Sequence, residues 1–241
     1  MRAVPLLGRA PVFPPASSAV DGLVAIGGDL GVERLLVAYR EGIFPWSADP
    51  ITWWSPDPRA IFEFDQVHVP RSLRRTLRRQ PFRLTLNRAF RAVMESCAAV
   101  PRRGGSTWIT PGLVEAYVRL HGHGHAHSIE CWQGDCLVGG LYGVAVGGLF
   151  AGESMFHRVD DASKVALVTL LAHLRTRGYR LFDTQMLTET TRQIGAREVS
   201  RAEYLQRLRR ALEVPCTFGA DTRPEPRAAG LEPGGREDPD A

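Results

Sequence analysis

The sequence of 241 residues predicts a mixed α/β (α+β) fold, and two observations lead to this class. Three apolar segments between residues 125 and 156 follow one another across short glycine-containing turns, which is typical of an antiparallel meander. Apolar stripes with a helical period lie before and after them, and a long amphipathic helix runs from Asp161 or Ser163 to Arg177. Since 44% of the residues are hydrophobic, a packed core is expected.

Residues 1–62 form a predicted small N-terminal domain that contains one clear helix. Asp29 or Gly31 can begin this helix, and Gly42 ends it. The segment that follows, GIFPWSADPITWWSPDPR, holds three tryptophans and four prolines. Because proline restricts the backbone and tryptophan packs broadly, we expect a stiff aromatic segment here.

Residues 63–216 form the predicted second domain. A short helix at residues 70–80 with Ser72 as its cap comes first, and a strand, FRLTLN, and another helix follow it. Thr110-Pro111 begins a further helix, with proline in the first turn where its missing N–H costs nothing. The meander then has the strands HAHSIECW, CLVGGLYGVAV and LFAGESMF.

The last part of the chain contains a strand and a helix, and a segment with few apolar residues follows them. YRLFDTQ reads as a strand, and Ser200 and Glu203 have the spacing of a capping box at the start of a final helix. Residues 217–241 contain few apolar residues and many prolines, glycines and acids. They are predicted to be a disordered tail.

The net charge of +4 is distributed unevenly. Residues 221–241 hold six acids and three arginines, so the other 220 residues carry 27 basic and 20 acidic side chains. A basic body weakly favours a polyanionic partner. On the helix at residues 70–80, Leu73 and Leu77 lie on one side and four arginines on the other, an array that could follow an RNA backbone or simply be solvated. These arginines are Arg74, Arg75, Arg78 and Arg79.

The acids Asp183 and Glu153 are candidates for a catalytic role. Asp183 and Gln185 lie two apart in LFDTQ, a spacing that puts both side chains on one face of a strand. A carboxylate beside a carboxamide can accept a proton and orient an amine, although two solvent-facing polar residues would show the same pattern. Glu153 lies in an apolar strand and must be paired, protonated or poised for a cation. A structural salt bridge with an arginine is the alternative for Glu153.

Other features narrow the class of protein. Tryptophans 46, 53, 54 and 108 could stack on nucleobases or pack in the core, and at least one of Trp53 and Trp54 should be structural. The alternating histidines of HGHGHAH are expected to bind no metal, because zinc ligands generally come from separated segments. No apolar run is long enough to cross a bilayer and the N-terminus is unlike a secretory signal, so a cytoplasmic protein without a membrane partner is expected.

Eight segments then identify a resemblance that spans roughly residues 20–205. They are GLVAIGGDL, YREGIFPW, WWSPDPRA, TWIT, GHAHSIE, LVGGLYGVAVGGLFAGESMF, DASKVAL and LFDTQ. In this order they resemble the bacterial leucyl/phenylalanyl-tRNA–protein transferases. The resemblance implies a monomer with a small N-terminal domain and a GNAT-like acyltransferase C-terminal domain, without metal or cofactor. It also implies transfer of Leu or Phe, and less readily Met, from aminoacyl-tRNA to proteins with an N-terminal Arg or Lys, which marks them for N-end rule degradation.

The resemblance also assigns roles to residues. Asp183 and Gln185 match the catalytic pair, and the four arginines match a cluster that grips the acceptor stem. Predicted substrate-binding positions are Trp46 and Trp108 for the terminal adenosine, and Leu141, Phe150, Gly152, Glu153, Leu170 and Thr184 for the amino-acid side chain and its surroundings. Leu170 and Leu141 stand where an aromatic residue and Met can occur, which could alter the balance between Leu and Phe. Thr190 stands where a histidine is common, so a role for that histidine does not transfer.

The expected mechanism needs no ATP, because the donor is already an activated ester. Asp183 and Gln185 would orient the attacking α-amine and help remove its proton, and either Glu153 or Asp183 would pair with the acceptor's Arg or Lys. Two alternatives stay open: a GNAT acetyltransferase that uses acetyl-coenzyme A, and a non-catalytic RNA-binding protein. The R/Q-x-x-G-x-G/A pattern typical of coenzyme A binding is missing, since the nearest stretch, residues 192–197, lacks its second small residue.

Overall fold

The computed structural model describes residues 4–100 and 107–219. Within them the chain forms seven α-helices and eleven strands, arranged in two sheets. This confirms the predicted mixed α/β (α+β) class. No helix in the described ranges is long and apolar enough to cross a bilayer.

The N-terminal part is built on a four-stranded sheet with the order β1-β2-β4-β3. Its strands are β1 (Leu6–Leu7), β2 (Leu23–Gly27), β3 (Phe44–Ala48) and β4 (Ile51–Trp54). The predicted helix is α1 (Val32–Arg40), which buries Leu35, Ala38 and Tyr39. The aromatic segment after it is therefore a β-hairpin, β3–β4.

The larger sheet has seven strands in the order β11-β5-β10-β9-β8-β7-β6. They are β5 (Arg59–Phe62), β6 (Arg83–Leu86), β7 (Ala126–Gln133), β8 (Cys136–Val146), β9 (Leu149–His157), β10 (Leu181–Gln185) and β11 (Arg197–Val199). Strands β9 and β10 run parallel, and the other neighbouring pairs are antiparallel. The predicted meander is confirmed as β7, β8 and β9.

Helices cover both faces of this sheet. They are α2 (Arg71–Arg79), α3 (Phe90–Ala98), α4 (Pro111–Gly122), α5 (Ala162–Thr176), α6 (Glu189–Gln193) and α7 (Arg201–Leu212). Leu141 of β8 belongs to the hydrophobic cluster of α5, whereas its neighbour Tyr142 belongs to that of α3 and α4. Successive strand residues face opposite sides, so β8 is apolar along its length because both of its faces are covered.

Hydrogen bonds at the helix N-termini test three of the predicted helix starts. The Thr110 hydroxyl oxygen accepts a hydrogen bond from the Leu113 N–H at 3.3 Å, and that of Ser200 accepts one from the Glu203 N–H at 3.2 Å, so both predicted helix starts are confirmed. Only this half of the predicted capping box at Ser200 forms, since the Glu203 carboxylate accepts from Arg207 at 2.8 Å instead. The predicted cap at Ser72 is wrong. Pro70 occupies the cap position and α2 begins at Arg71, so Ser72 lies inside its first turn.

Two predicted boundaries fall close to elements of the larger sheet. The boundary after residue 62 assigns Arg59–Phe62 to the N-terminal domain, but these residues form β5, which pairs with β10 and β11. At the other end, Phe218 is buried and stacks on His127 with ring centroids 4.1 Å apart. Residues 217–219 therefore pack on the body, and the rest of the predicted tail lies outside the described residues.

Candidate active site

A cavity of about 340 Å³ opens between the N-terminal hairpin and the edges of β9 and β10. Seven of the ten predicted catalytic and substrate-binding residues line it: Trp46, Trp108, Leu141, Gly152, Glu153, Thr184 and Gln185. Sequence reasoning missed Phe44, Met155, Leu167 and Phe182, which also lie on its wall. Phe44 and Met155 lie two residues from the predicted site positions Trp46 and Glu153, so alternation along β3 and β9 could have indicated them.

Phe150 and Leu170 do not line the cavity. Phe150 is 1% exposed and packs against Phe182, with ring centroids 5.5 Å apart, and Leu170 is fully buried in the core. Phe150 therefore meets the cavity wall only through the ring of Phe182. Gly152 does reach this wall, and a Cβ at this position would lie 3.0 Å from the ring of Phe182, so glycine allows that ring to pack closely against β9.

The tryptophans divide into structural and cavity-lining residues. Trp53 is fully buried and donates a hydrogen bond from Nε1 to the Gly27 carbonyl oxygen at 2.9 Å, which confirms that one of the two adjacent tryptophans is structural. Trp46 is partly exposed on the cavity wall and packs edge-on against Trp54, with centroids 5.3 Å apart. Trp46 therefore offers an aromatic surface held in place from behind.

Glu153 is the acid that faces the cavity. Its Oε1 accepts a hydrogen bond from Gln185 Nε2 at 2.9 Å, and its Oε2 accepts one from the Tyr117 hydroxyl at 3.3 Å. The Tyr117 hydroxyl also meets the Tyr39 hydroxyl at 2.5 Å. Burial, reinforced by the charge of Asp183, raises the pKa of Glu153 to about 8. Within residues 4–100 and 107–219 no arginine forms an ion pair with Glu153, so the structural salt bridge considered for it is not found in these ranges.

Asp183 is fully buried and does not reach the cavity wall. Its Oδ1 accepts hydrogen bonds from Arg59 Nε at 2.9 Å and from the backbone N–H of Gln185 at 2.8 Å. Its Oδ2 accepts from Arg59 Nη2 at 2.6 Å and from the Tyr204 hydroxyl at 2.8 Å. Four donors thus occupy the carboxylate, which leaves it no free position for a substrate.

The backbone at Gln185 separates the two side chains of the predicted pair. Gln185 has φ = 56°, in the left-handed region, and the pairing register between β10 and β5 shifts between Asp183 and Gln185. Simple strand alternation assumes an extended backbone, so it does not hold here. The Gln185 carboxamide reaches the cavity and Glu153, whereas the Asp183 carboxylate lies behind the wall.

The arginine helix is a separate surface. Leu73 is buried, Leu77 is half-buried, and the side chains of Arg74, Arg75, Arg78 and Arg79 are exposed, as the helical stripe predicts. Arg74 donates from Nε to the Val69 carbonyl oxygen at 2.8 Å. None of these four arginines lines the cavity.

The histidines of HGHGHAH connect the end of α4 to β7. His121 stacks on Phe90 with centroids 4.3 Å apart, and its Nδ1 lies 2.7 Å from the Ala126 carbonyl oxygen. The Nδ1 of His127 lies 3.1 Å from Asn87 Nδ2. These two imidazoles are therefore engaged in packing and hydrogen bonding.

Comparison with known proteins places the chain in a family. A sequence model described as leucyl/phenylalanyl-tRNA protein transferase matches residues 61–209, and one described as the N-terminal domain of that transferase matches residues 28–57. A protein of Anaeromyxobacter dehalogenans (strain 2CP-C), named leucyl/phenylalanyl-tRNA–protein transferase, is 56% identical over 217 residues, which are 88% of this chain and 93% of that protein.

Two further relatives carry the same name. The protein of Nitratidesulfovibrio vulgaris (strain DP4) is 52% identical over 91% of this chain and 95% of its own length. The protein of Pseudomonas aeruginosa (strain PAO1) is 51% identical over 87% of this chain and 95% of its own length. The chain therefore belongs to the leucyl/phenylalanyl-tRNA–protein transferase family and is an aminoacyltransferase.

Proposed function

We propose that this aminoacyltransferase moves Leu or Phe, and less readily Met, from aminoacyl-tRNA to the N-terminal Arg or Lys of acceptor proteins. The product would carry a new N-terminal residue that marks it for N-end rule degradation in the cytoplasm, and the enzyme would act as a monomer. One observation carries the proposal: a single cavity joins an apolar wall to the hydrogen-bonded pair of Gln185 and Glu153.

The apolar wall suits the donor amino acid. Leu141 and Phe182 line the cavity and offer hydrocarbon contacts to a side chain, and Gly152 beside Phe182 adds no side chain of its own. Such a pocket separates near-isosteres by only ~1–3 kcal/mol, so Met should be accepted at reduced efficiency. Trp46 and Trp108 give aromatic faces on which the terminal adenine of the tRNA can stack.

Gln185 and Glu153 suit the acceptor amine. Gln185 donates from Nε2 to Glu153, so its Oε1 is left to accept an N–H of the amine. Glu153 is the acid on the wall, and a cationic peptide end beside it would favour its charged form. Its pKa of about 8 is close to that of an α-ammonium, ~7.7–8.0, so proton transfer between them is nearly balanced.

The bonds then follow from these contacts. The neutral amine attacks the ester carbonyl carbon, a C–N bond forms, and the bond from that carbon to the 3′-oxygen of the tRNA breaks. The attack leaves the nitrogen positively charged, and deprotonated Glu153 takes one proton from it and passes a proton to the leaving 3′-oxygen. Asp183, which does not reach the cavity, contributes by holding the Gln185 backbone. Holding ester and amine in contact can lower the barrier by ~7–11 kcal/mol.

The exposed arginines of α2 suit the tRNA. Four guanidinium groups on one face can neutralise phosphates at repeated spacing, and they leave the cavity free for the aminoacyl end.

A transfer assay tests the proposal. Radiolabelled Leu-tRNA is incubated with the protein and with two peptides that differ only in an N-terminal Arg or Ala. Label in the Arg peptide, with little in the Ala peptide, supports the proposal. Acetylation of either peptide from acetyl-coenzyme A would instead indicate an acetyltransferase. Equal binding of charged and uncharged tRNA without labelled peptide would indicate a non-catalytic RNA-binding protein.

A further inference from the structure

We propose that Arg59 is a positioning residue for aminoacyl transfer, which locks the two walls of the cavity at a fixed separation. The inference rests on the proposed function, because it concerns the geometry of the Gln185–Glu153 pair. Arg59 lies on β5, next to β10 in the larger sheet, and does not line the cavity itself.

The first set of contacts connects Arg59 to the wall that carries Gln185. Its Nε and Nη2 bind the two oxygens of Asp183 at 2.9 and 2.6 Å, the forked geometry in which a guanidinium meets a carboxylate. Both side chains are 1% exposed. A buried charge pair of this kind keeps a narrow range of geometries, since a displaced charge would be left without a partner.

The second set of contacts connects Arg59 to the opposite wall. Its Nη1 donates to the Gly42 carbonyl oxygen at 3.2 Å, and its guanidinium carbon lies 4.8 Å from the centroid of the Phe44 ring. Phe44 lines the cavity and is two residues from Trp46. One planar group therefore spans from the hairpin that presents Trp46 to the strand that presents Gln185.

The link from Asp183 to the reacting groups is short. The Asp183 oxygen that accepts from Arg59 Nε also accepts from the Gln185 backbone N–H, and it holds that residue at φ = 56°. Non-glycine residues adopt this conformation only when their surroundings determine it. A shift of the Asp183 carboxylate would thus move the Gln185 carboxamide and its contact with Glu153.

The variant Arg59→Lys tests whether the bidentate contact between Arg59 and Asp183 is needed. A lysine keeps the charge but offers one nitrogen, so it cannot bind both oxygens of Asp183 and the Gly42 carbonyl in the same geometry. For Arg59→Lys we expect kcat for leucine transfer to fall about 100-fold, the usual cost of a misplaced reacting group. KM for Leu-tRNA should change by less than about threefold, because the arginines of α2 and the apolar wall remain.

Arg34→Lys is the matched control. Arg34 is likewise 1% exposed and donates to a carboxylate, Asp29, at 3.1 Å and to the Gly8 carbonyl oxygen at 2.8 Å, but it does not line the cavity. We expect a comparable loss of Tm with kcat unchanged. A general effect of disturbing a buried arginine would lower kcat in both variants.

Tyr204→Phe gives a second, milder test if Arg59→Lys does not fold. It removes one hydrogen bond to Asp183 and keeps the ring under the guanidinium, 4.4 Å away. A loss of ~1 kcal/mol predicts a fall in kcat of roughly fivefold. The control is Tyr179→Phe, since the Tyr179 hydroxyl is buried without a hydrogen-bond partner in the described structure. Removing this hydroxyl should leave kcat unchanged.

The outcomes separate the two levels of the proposal. If the wild-type protein forms no labelled peptide, the proposed function is wrong whatever Arg59 does. If the wild type transfers leucine but Arg59→Lys and Tyr204→Phe keep kcat within about threefold of their controls, the positioning role is refuted. A rise in KM for Leu-tRNA at unchanged kcat would also refute it, because the effect would then concern binding.

Discussion

Replacing Glu153 by glutamine should change how the stability of the protein depends on pH. In the folded protein burial raises the pKa of Glu153 to about 8, whereas in an unfolded chain a glutamate titrates near ~4.3. Between these values the folded state holds a proton that the unfolded state has lost. Glutamine has nearly the same shape and does not titrate, so the variant lacks this difference.

The sign and size follow from proton linkage. Because the folded state binds more protons, the free energy of unfolding of the wild type falls as the pH rises through this window. The slope is ~1.4 kcal/mol per pH unit for one group, and it disappears above the folded pKa. From pH 5.5 to 7.5 the wild type should therefore lose roughly 2–3 kcal/mol relative to Glu153→Gln.

Urea unfolding of both proteins at pH 5.5, 6.5, 7.5 and 8.5 measures this difference. His127 also contributes in part of this range, because burial lowers its pKa to about 4 in the folded protein whereas in the unfolded chain it titrates near ~6.5. It contributes equally to both proteins, so it cancels when the free energies are subtracted. If the difference between wild type and variant changes by less than about 0.5 kcal/mol from pH 5.5 to 7.5, Glu153 does not titrate as a buried acid and its assignment as proton acceptor fails.

The other predictions concern the walls and the RNA surface. Gln185→Ala should lower kcat for leucine transfer about 100-fold at unchanged Tm, as measured in single-turnover transfer, because the group that orients the amine is lost. Gly152→Ala places a Cβ 3.0 Å from the ring of Phe182, so that ring has to shift within the cavity wall and change the shape of the apolar region. Competition between Leu-tRNA and Phe-tRNA should then shift about tenfold towards the smaller leucine. Changing Arg75 and Arg79 to Glu should raise KM for Leu-tRNA and reduce its salt dependence by ~0.7–0.9 in log–log slope for each lost phosphate contact.

Matched variants keep these results interpretable. Gln193→Ala removes an exposed glutamine of α6 that binds Glu189, and it should leave kcat unchanged. Arg209 and Arg210 of α7 are exposed like the arginines of α2, so their change to Glu controls for net charge. If this pair weakens tRNA binding as much as the pair on α2 does, the basic body binds RNA without a preferred surface. Equal loss of Leu and Phe transfer in Gly152→Ala would show that the donor side chain lies elsewhere.

Local patterns were sufficient for most elements of the fold. The cap at Thr110, the stripe of Leu73 and Leu77, and the turns of the meander each depend on residues a few positions apart, and all of them are present in the structure. The pairing of β5 with β10 joins segments about 120 residues apart in the chain, and no local pattern encodes it. The placement of β5 in the larger sheet therefore became visible only in three dimensions.

The candidate site divides in the same way. The sequence alone indicated the groups that the reaction needs, namely apolar side chains, two tryptophans, a lone acid in an apolar strand and a face of arginines. Most of these groups lie in one cavity or on one surface of the structure. Only the tertiary structure decided which acid faces that cavity, because the choice depends on Arg59, which is 124 residues from Asp183. The buried guanidinium of Arg59 binds the Asp183 carboxylate. The left-handed backbone at Gln185 turns its carboxamide towards the carboxylate of Glu153. Both effects arise from packing between distant segments, and residue spacing along a strand does not contain them.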